Sequence, residues 1–248
     1  MSVSILGIDI AKQKFDAALL VDGKTKHKAC KNSVEGFETL SLWLGKQGIQ
    51  QVHACMEATG NYGEDLAIYL HEAGHIVSIV NPARIKGFGQ SELIRTKTDK
   101  IDAGIIARFC LVMKPEPWIP LSPEIRILRA LVRRADSLTD MRSQEKNRIS
   151  TAHESVIPLI EQHIVYLDQE IEKIRKQIAK LIKHNPNLKQ KKDLLDFIPG
   201  LGKVTIPAIL AELDNLNKFN HVREVVAFIG LAPKENLSGS SIQGKTRL

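Results

Sequence analysis

The stretch SILGIDIAKQKFDAALLVDGK, residues 4–24, decides the fold. Ser4 to Ile10 is rich in apolar residues, and Phe15 to Val21 is a second apolar run. Asp22-Gly23-Lys24, between that run and Lys26 to Cys30, is a hairpin turn signal. The chain therefore opens as strands joined by hairpins. Working outward, Phe37, Leu40, Leu42 and Leu44 mark a helix within Gly36 to Leu44, and Gln51 to Met56 reads as a short strand. Leu66, Ala67, Leu70 and Ala73 stand at helical spacing within Glu64 to Ala73, and Gly74 ends that helix as a C-cap. His75 to Val80 is another strand, stopped by Asn81-Pro82. Hairpin-linked strands followed by strand–helix alternation predict an α/β mixed sheet with helices on its faces. The pattern fits the ribonuclease-H-like (RuvC-type) architecture, and equally the actin-like kinase architecture, which begins the same way.

The rest of the chain reads differently. Residues 83 to 114 are a basic stretch followed by a helix, and Pro115, Pro117, Pro120 and Pro123 space out a segment that cannot be regular helix. Ile125, Leu128, Leu131, Val132, Ala135 and Leu138 then form one apolar stripe. Ile160, Ile164, Leu167, Ile171, Ile174, Ile178 and Leu181 form another at steps of three and four, with Pro158 at the start of its helix. Two long amphipathic helices with charged outer faces predict an antiparallel coiled-coil hairpin or a dimerisation arm. After Asn185-Pro186-Asn187 a small all-α segment follows, containing Ile198-Pro199-Gly200-Leu201-Gly202 and then Val204 to Leu213. The organisation expected is a catalytic domain over 1–115, a proline-rich linker over 116–123, a coiled-coil helical hairpin over 124–185 and a C-terminal domain over 186–248.

The bulk composition bounds the function. At 248 residues the chain is ample for more than one core, and 43% hydrophobic with 25% charged residues is an ordinary globular balance. Thirty-five Lys and Arg against 28 Asp and Glu give a net charge of +7, compatible with a polyanionic partner. Cys30, Cys55 and Cys110 are few and far apart, which argues against a disulfide framework or a zinc site and suits buried thiols in a reducing compartment. The N-terminus, Met1-Ser2-Val3-Ser4, lacks a basic leader, and no apolar stretch approaches the roughly 20 residues of a membrane helix. A cytoplasmic protein with no membrane partner is expected.

Four carboxylates carry the chemistry. Asp9 sits inside an apolar strand, where a carboxylate is costly to bury unless paired or metal-bound. Glu57 follows a strand, where a sheet edge presents groups to a cleft. Asp99 and Asp102, in Thr96-Lys97-Thr98-Asp99-Lys100-Ile101-Asp102-Ala103, are three apart, which puts both on one face of a helix. Each has a plainer reading: Asp9 or Glu57 as a solvated or turn-bonded strand end, and Thr98 or Asp99 as a helix cap. Together, two strand-end carboxylates and two on a helix face can converge on one pocket of the hard oxygen donors that Mg²⁺ requires. Two such ions about 4 Å apart activate an attacking oxygen and stabilise the leaving oxygen of a phosphodiester. Arg95, Lys97 and Lys100 beside them would hold a phosphate backbone.

These residues resemble a known family. Gly7-Ile8-Asp9-Ile10-Ala11-Lys12, Glu57-Ala58-Thr59-Gly60-Asn61-Tyr62 and Lys97-Thr98-Asp99-Lys100-Ile101-Asp102-Ala103 look like the motifs of the DEDD transposases of bacterial insertion sequences, whose relatives include the pilin-gene invertase. The likeness continues through Ile198-Pro199-Gly200-Leu201-Gly202 and Phe228-Ile229-Gly230-Leu231-Ala232-Pro233 to Ser238-Gly239. It implies a RuvC-like N-terminal domain with Asp9, Glu57, Asp99 and Asp102 as Mg²⁺ ligands and catalytic residues. It further implies a C-terminal serine that attacks DNA and forms a covalent intermediate. By its Ser-Gly context that serine is Ser238, with Ser240 and Ser241 as close rivals. Some members are guided by a structured RNA from their own element, so DNA and such an RNA are the implied partners. Homodimers or homotetramers are expected from the helical stripes. Gly244-Lys245-Thr246-Arg247-Leu248 reads as the middle of a motif, so the family's C-terminal domain is expected to be cut short here.

Other features have two readings each. Pro199-Gly200-Leu201-Gly202 resembles a helix-hairpin-helix turn offering backbone N–H groups to phosphate, or is an ordinary helix–helix turn. Arg129, Arg133 and Arg134, beside Arg126, track a nucleic-acid backbone or simply form a solvated face. His53, His71 and His75 lack metal-ligand spacing and read as structural, and Tyr62 either stacks on a base or packs beside Gly60 and Gly63. The alternatives to a transposase are a Holliday-junction nuclease of the same fold, an actin-like kinase and a non-catalytic nucleic-acid-binding scaffold. A kinase needs a second phosphate loop and a Gly-Gly adenosine motif, and neither follows residue 124. A scaffold has no use for four acids beside a basic stretch, because acids repel phosphate unless a metal intervenes.

Overall fold

The computed structural model describes residues 4–58, 60, 62–92, 98–213, 219, 221–231, 237–238 and 242–243, the last two pairs by their backbone. The chain divides into two compact units, Met1–Pro120 and Leu121–Leu248.

The first unit is built on β1 (Ser4–Ile10), β2 (Lys14–Val21), β3 (Lys24–Lys31), β4 (Val52–Glu57) and β5 (Ile76–Val80). Their order in the sheet is β3-β2-β1-β4-β5, with the first three antiparallel and β1, β4 and β5 parallel, so the sheet is mixed as expected. The β2–β3 hairpin closes on Asp22 and Gly23, both at positive φ, which is what a two-residue turn of this twist demands. β1 is apolar on both sides because both are covered. Leu6, Ile8 and Ile10 face a core shared with α1 (Val34–Lys46) and α2 (Glu64–Glu72). Ile5 and Gly7 face α4 (Asp99–Met113) on the other side. All three cysteines are buried thiols.

One sequence expectation changes here. The basic stretch after Asn81 contains a helix of its own, α3 (Pro82–Ser91). The Asn81 side chain accepts from the Ala83 amide at 2.9 Å, and Pro82 occupies the first turn, so the dipeptide that stops β5 also starts a helix. Gly87 and Gly89 hide it from a propensity reading. The proline-spaced segment, read as a linker, is fastened to β5. The Ser78 hydroxyl donates to the carbonyls of Pro115 and Glu116, and the Trp118 amide donates to the Val77 carbonyl at 2.6 Å. His53 bonds Ser78 at 2.8 Å and His71 meets Trp118 edge-on.

The second unit begins with α5 (Pro123–Ile149) and α6 (Ile157–His184). Arg142 pairs with Asp168 at 2.7 Å and Glu145 with His163 at 3.3 Å, which fixes the two helices as antiparallel. The expected stripes form their seam, with Leu128, Val132 and Leu138 against Leu167, Ile171, Ile174 and Ile178. α7 (Pro186–Leu195) and α8 (Thr205–Glu212) close this core with Leu188, Ile206 and Leu210. α9 (Val222–Phe228) follows. The C-terminal segment is not all-α: β6 (Leu237–Ser238) pairs antiparallel with β7 (Ile242–Gln243). The Gly-Ser-Ser sequence between Ser238 and Ile242 is turn composition, a signal that helical periodicity does not register. Among the described residues no helix is long and apolar enough to cross a membrane.

Candidate metal centre

The site is built from the packing of α4 on β1. Gly7 lets the helix backbone approach directly, since a Cβ there would overlap the Ala103 carbonyl oxygen and the Ala107 amide. Ala103 and Ala107, with side chains of a single methyl, keep the facing side of α4 equally thin. Asp9 lies two residues beyond Gly7 on the same face of β1. Asp102 and Asp99 lie one and four residues before Ala103, in the first turn of α4. Asp9 consequently feels the charges of both.

The helix start answers the question of the cap. Thr98 is the N-cap, its hydroxyl accepting from the Ile101 amide at 3.3 Å. The Asp99 side chain instead takes an ion pair with Lys14 at 2.6 Å. Both acids also lie where the helix dipole favours negative charge.

Two participants were not read from the sequence. Asp16 of β2 is the direct cross-strand partner of Asp9 and shares its face of the sheet, yet it is only 6% exposed. Lys14, two residues earlier, holds Asp16 at 3.3 Å as well as Asp99. The signal was present as alternation, because Lys14, Asp16 and Ala18 fall on one face of β2, but it needs the Asp9–Asp16 register to acquire meaning. Burial first, then the charges of Asp102, Asp99 and Asp16, hold the Asp9 carboxyl above its ordinary range, with Lys14 opposing. Hydrogen bonds to Asp99 and Asp16 hold the Lys14 ammonium above its own range.

Glu57 ends β4, the parallel neighbour of β1, one residue past the register pair Ile8↔Met56. Cys55, two residues before it, packs against α4, so alternation puts Glu57 on the Asp9 face. Asn32 fastens the two loops that flank this edge, its amide donating to the carbonyls of Ala11 at 3.1 Å and Tyr62 at 3.0 Å. Tyr62 is half exposed rather than packed. Among the described residues no three His, Cys, Asp or Glu side chains already stand at metal-ligand spacing. The carboxylates share a face and an edge, with Lys14 between Asp16 and Asp99.

The remaining candidates lie elsewhere. Lys100 is exposed on the first turn of α4, while Arg95 and Lys97 lie outside the described residues. In the second unit Arg129 donates twice to the Ala211 carbonyl, at 3.1 and 2.8 Å, and both Arg129 and Arg133 pair with Glu212. These two arginines therefore fasten α5 to the end of α8, whereas Arg134 is exposed. Gly200 needs its positive φ of 89°, and open space surrounds the position of a Cβ on Gly200 and on Gly202. Ser238 belongs to β6, opposite Ile242; Ser240 and Ser241 lie outside the described residues.

This edge of acids on a mixed α/β sheet accords with what the chain resembles. A family model described as "Transposase", for the DEDD type of IS110, matches residues 6–158. A second, "Transposase IS116/IS110/IS902 family", matches residues 192–248. Two pilin gene-inverting proteins, from Moraxella bovis and Moraxella lacunata, are each 33% identical over 250 residues, covering all of this chain and 78% of their own length. The chain belongs to the IS110-type DEDD transposase family, a class of DNA-processing enzymes. That membership removes the actin-like kinase reading.

Proposed function

We propose that the protein is a recombinase that cuts and rejoins DNA strands with a Mg²⁺-binding carboxylate edge and a serine nucleophile. The observation that carries the reading is the close packing of α4 on β1 at Gly7 and Ala103, which sets the first-turn acids Asp99 and Asp102 beside the end of the strand that bears Asp9, far from them in sequence. The donor set fits the ion: all oxygen, several carboxylates, no His or Cys, as Mg²⁺ prefers. Asp9, Glu57, Asp99 and Asp102 would hold it. Bound there, Mg²⁺ would supply Lewis-acid stabilisation of charge developing on a phosphodiester.

The chain's own residues supply the rest. Lys100, and by sequence Arg95 and Lys97, hold the DNA backbone near the acids; Arg134 and the open Gly200–Gly202 turn offer further phosphate contacts. The Ser238 hydroxyl attacks a phosphodiester, forming a phosphoserine–DNA ester and releasing a strand end; reversal onto a new strand rejoins the DNA without external energy. A serine hydroxyl is a weak nucleophile until its proton is removed, so this step depends on activation. The first unit is read as RuvC-like and the α5–α6 pair as a coiled-coil arm for self-association. The C-terminal domain starts after Asn185 and carries Ser238. A structured guide RNA is the second partner of this reading. The Moraxella relatives are named for inverting a pilin gene, and inversion is a cut-and-rejoin reaction of this kind.

A recombination assay beside a gel-shift assay tests it. Asp9→Ala and Ser238→Ala each abolish strand exchange and leave nucleic-acid binding largely intact. A fully active Asp9→Ala protein undoes the metal reading; a fully active Ser238→Ala protein moves the nucleophile to Ser240 or Ser241.

A further inference from the structure

Lys14 opens β2 with its side chain in solvent. It is exposed, precedes the buried Asp16 by two residues, and directs one ammonium group at two carboxylates from different elements. Asp16 gives it a fixed anchor: that carboxylate is almost fully enclosed, and the β1–β2 register seats it directly beside Asp9. Like charges directly opposite on neighbouring strands repel, so the Asp9–Asp16 pair is costly unless a cation serves it. Asp99, 85 residues away in sequence, takes the other side of the same ammonium at 2.6 Å.

We propose that Lys14 is a tethered counter-cation that holds Asp99 and Asp16 together and contends with a divalent cation for Asp99, so that it sets the affinity of the metal centre. Asp16 is the positioning residue that keeps Lys14 within reach. This inference rests on the metal reading given under Proposed function. With Asp99 engaged by a divalent cation, its oxygens would no longer be free for the Lys14 ammonium, which would keep Asp16 as its partner. The tether thus offsets the mutual repulsion of the acids before the cation arrives, and lowers the affinity with which it is held.

The test is direct binding of Mn²⁺ to the full chain, followed by the electron paramagnetic resonance of the free ion, with thermal melts alongside. Lys14→Gln binds Mn²⁺ about three- to fivefold more tightly than the wild type, the size appropriate to a half-exposed ion pair. Its melting point falls without divalent cation and recovers at saturating Mn²⁺. Lys14→Arg, which can still bridge both acids, returns the affinity to within about twofold of wild type. Lys12→Gln removes the same charge from the β1–β2 turn and changes the affinity less than about twofold. Equal or weaker binding by a folded Lys14→Gln protein overturns the proposal, as does an equal gain from Lys12→Gln, which would reduce it to bulk charge. Asp102→Asn separates this failure from that of the metal reading. If the wild type binds no better than Asp102→Asn, the metal centre itself is wrong and the proposal falls with it.

Discussion

Gly7 of β1 lies flush against the backbone of Ala103 in α4, with no space between them for a Cβ. That contact sets how deeply the helix sits on the sheet, and through it the distance from Asp102 and Asp99 to Asp9. Gly7→Ala forces the helix outward. It costs about 1–3 kcal/mol of stability, the usual range for overpacking. It also lowers DNA strand exchange by about 100-fold, as displacement of reacting groups by an ångström or so does. Denaturant melts and a recombination assay check both parts. A stable Gly7→Ala protein with undiminished activity would show that the Gly7–Ala103 contact does not set the site.

The Asp9 carboxyl is held above its ordinary value of 3.8, by burial first and then by Asp102, Asp99 and Asp16. A carboxyl harder to ionise in the folded than in the unfolded chain costs stability once ionised. That cost is absent below the ordinary value and grows as pH rises through the raised one. Asp9→Asn therefore melts higher than the wild type at neutral pH without divalent cation, and the gap closes as pH falls toward 3.8. Melting curves across this range check it. A gap independent of pH contradicts the shift, and a lower melting point at neutral pH contradicts its sign.

Arg129 and Arg134 are five residues apart on α5 and are expected to behave oppositely. Arg129→Ala removes two charge-assisted hydrogen bonds to the Ala211 carbonyl and costs about 1.5–3 kcal/mol of stability. Arg134→Ala, on an exposed position, changes stability by less than about 0.5 kcal/mol. It weakens nucleic-acid binding and reduces the salt dependence of the affinity by about one phosphate contact. Melts and salt-titrated gel shifts on both variants decide; a destabilised Arg134→Ala protein with unchanged binding contradicts the assignment.

Much of this was legible in the sequence because it depends on period and punctuation. The hairpin at Asp22-Gly23, the strand–helix alternation and the two apolar stripes are local signals, and the structure carries each of them. Asp99 and Asp102 could be paired because three residues on a helix is a fixed geometry. Asp16 and Lys14 could not be found the same way. Their meaning comes from the register that sets Asp16 opposite Asp9, and from the packing that brings Asp99 to Lys14 across 85 positions. The arginines of α5 look alike in sequence; only the position of α8 separates Arg129 and Arg133, which face Glu212, from Arg134. α3 was missed because its glycines lower helix propensity while tertiary packing, with Phe88 against Phe109 at 5.6 Å, holds it.

The proposal that β1, β4 and α4 share one ion is tested most directly by letting the ion report its own surroundings. Fe²⁺ substituted for Mg²⁺, with ascorbate and peroxide, generates hydroxyl radicals that cut the backbone before they diffuse away. Cuts are expected at three places, the end of β1 around Asp9, the end of β4 around Glu57 and the start of α4 around Asp99 to Asp102. Excess Mg²⁺ suppresses all three together, and Asp9→Asn abolishes them. Cutting at one of these segments alone, cutting elsewhere in the chain, or an unchanged pattern in Asp9→Asn would contradict a single shared metal centre.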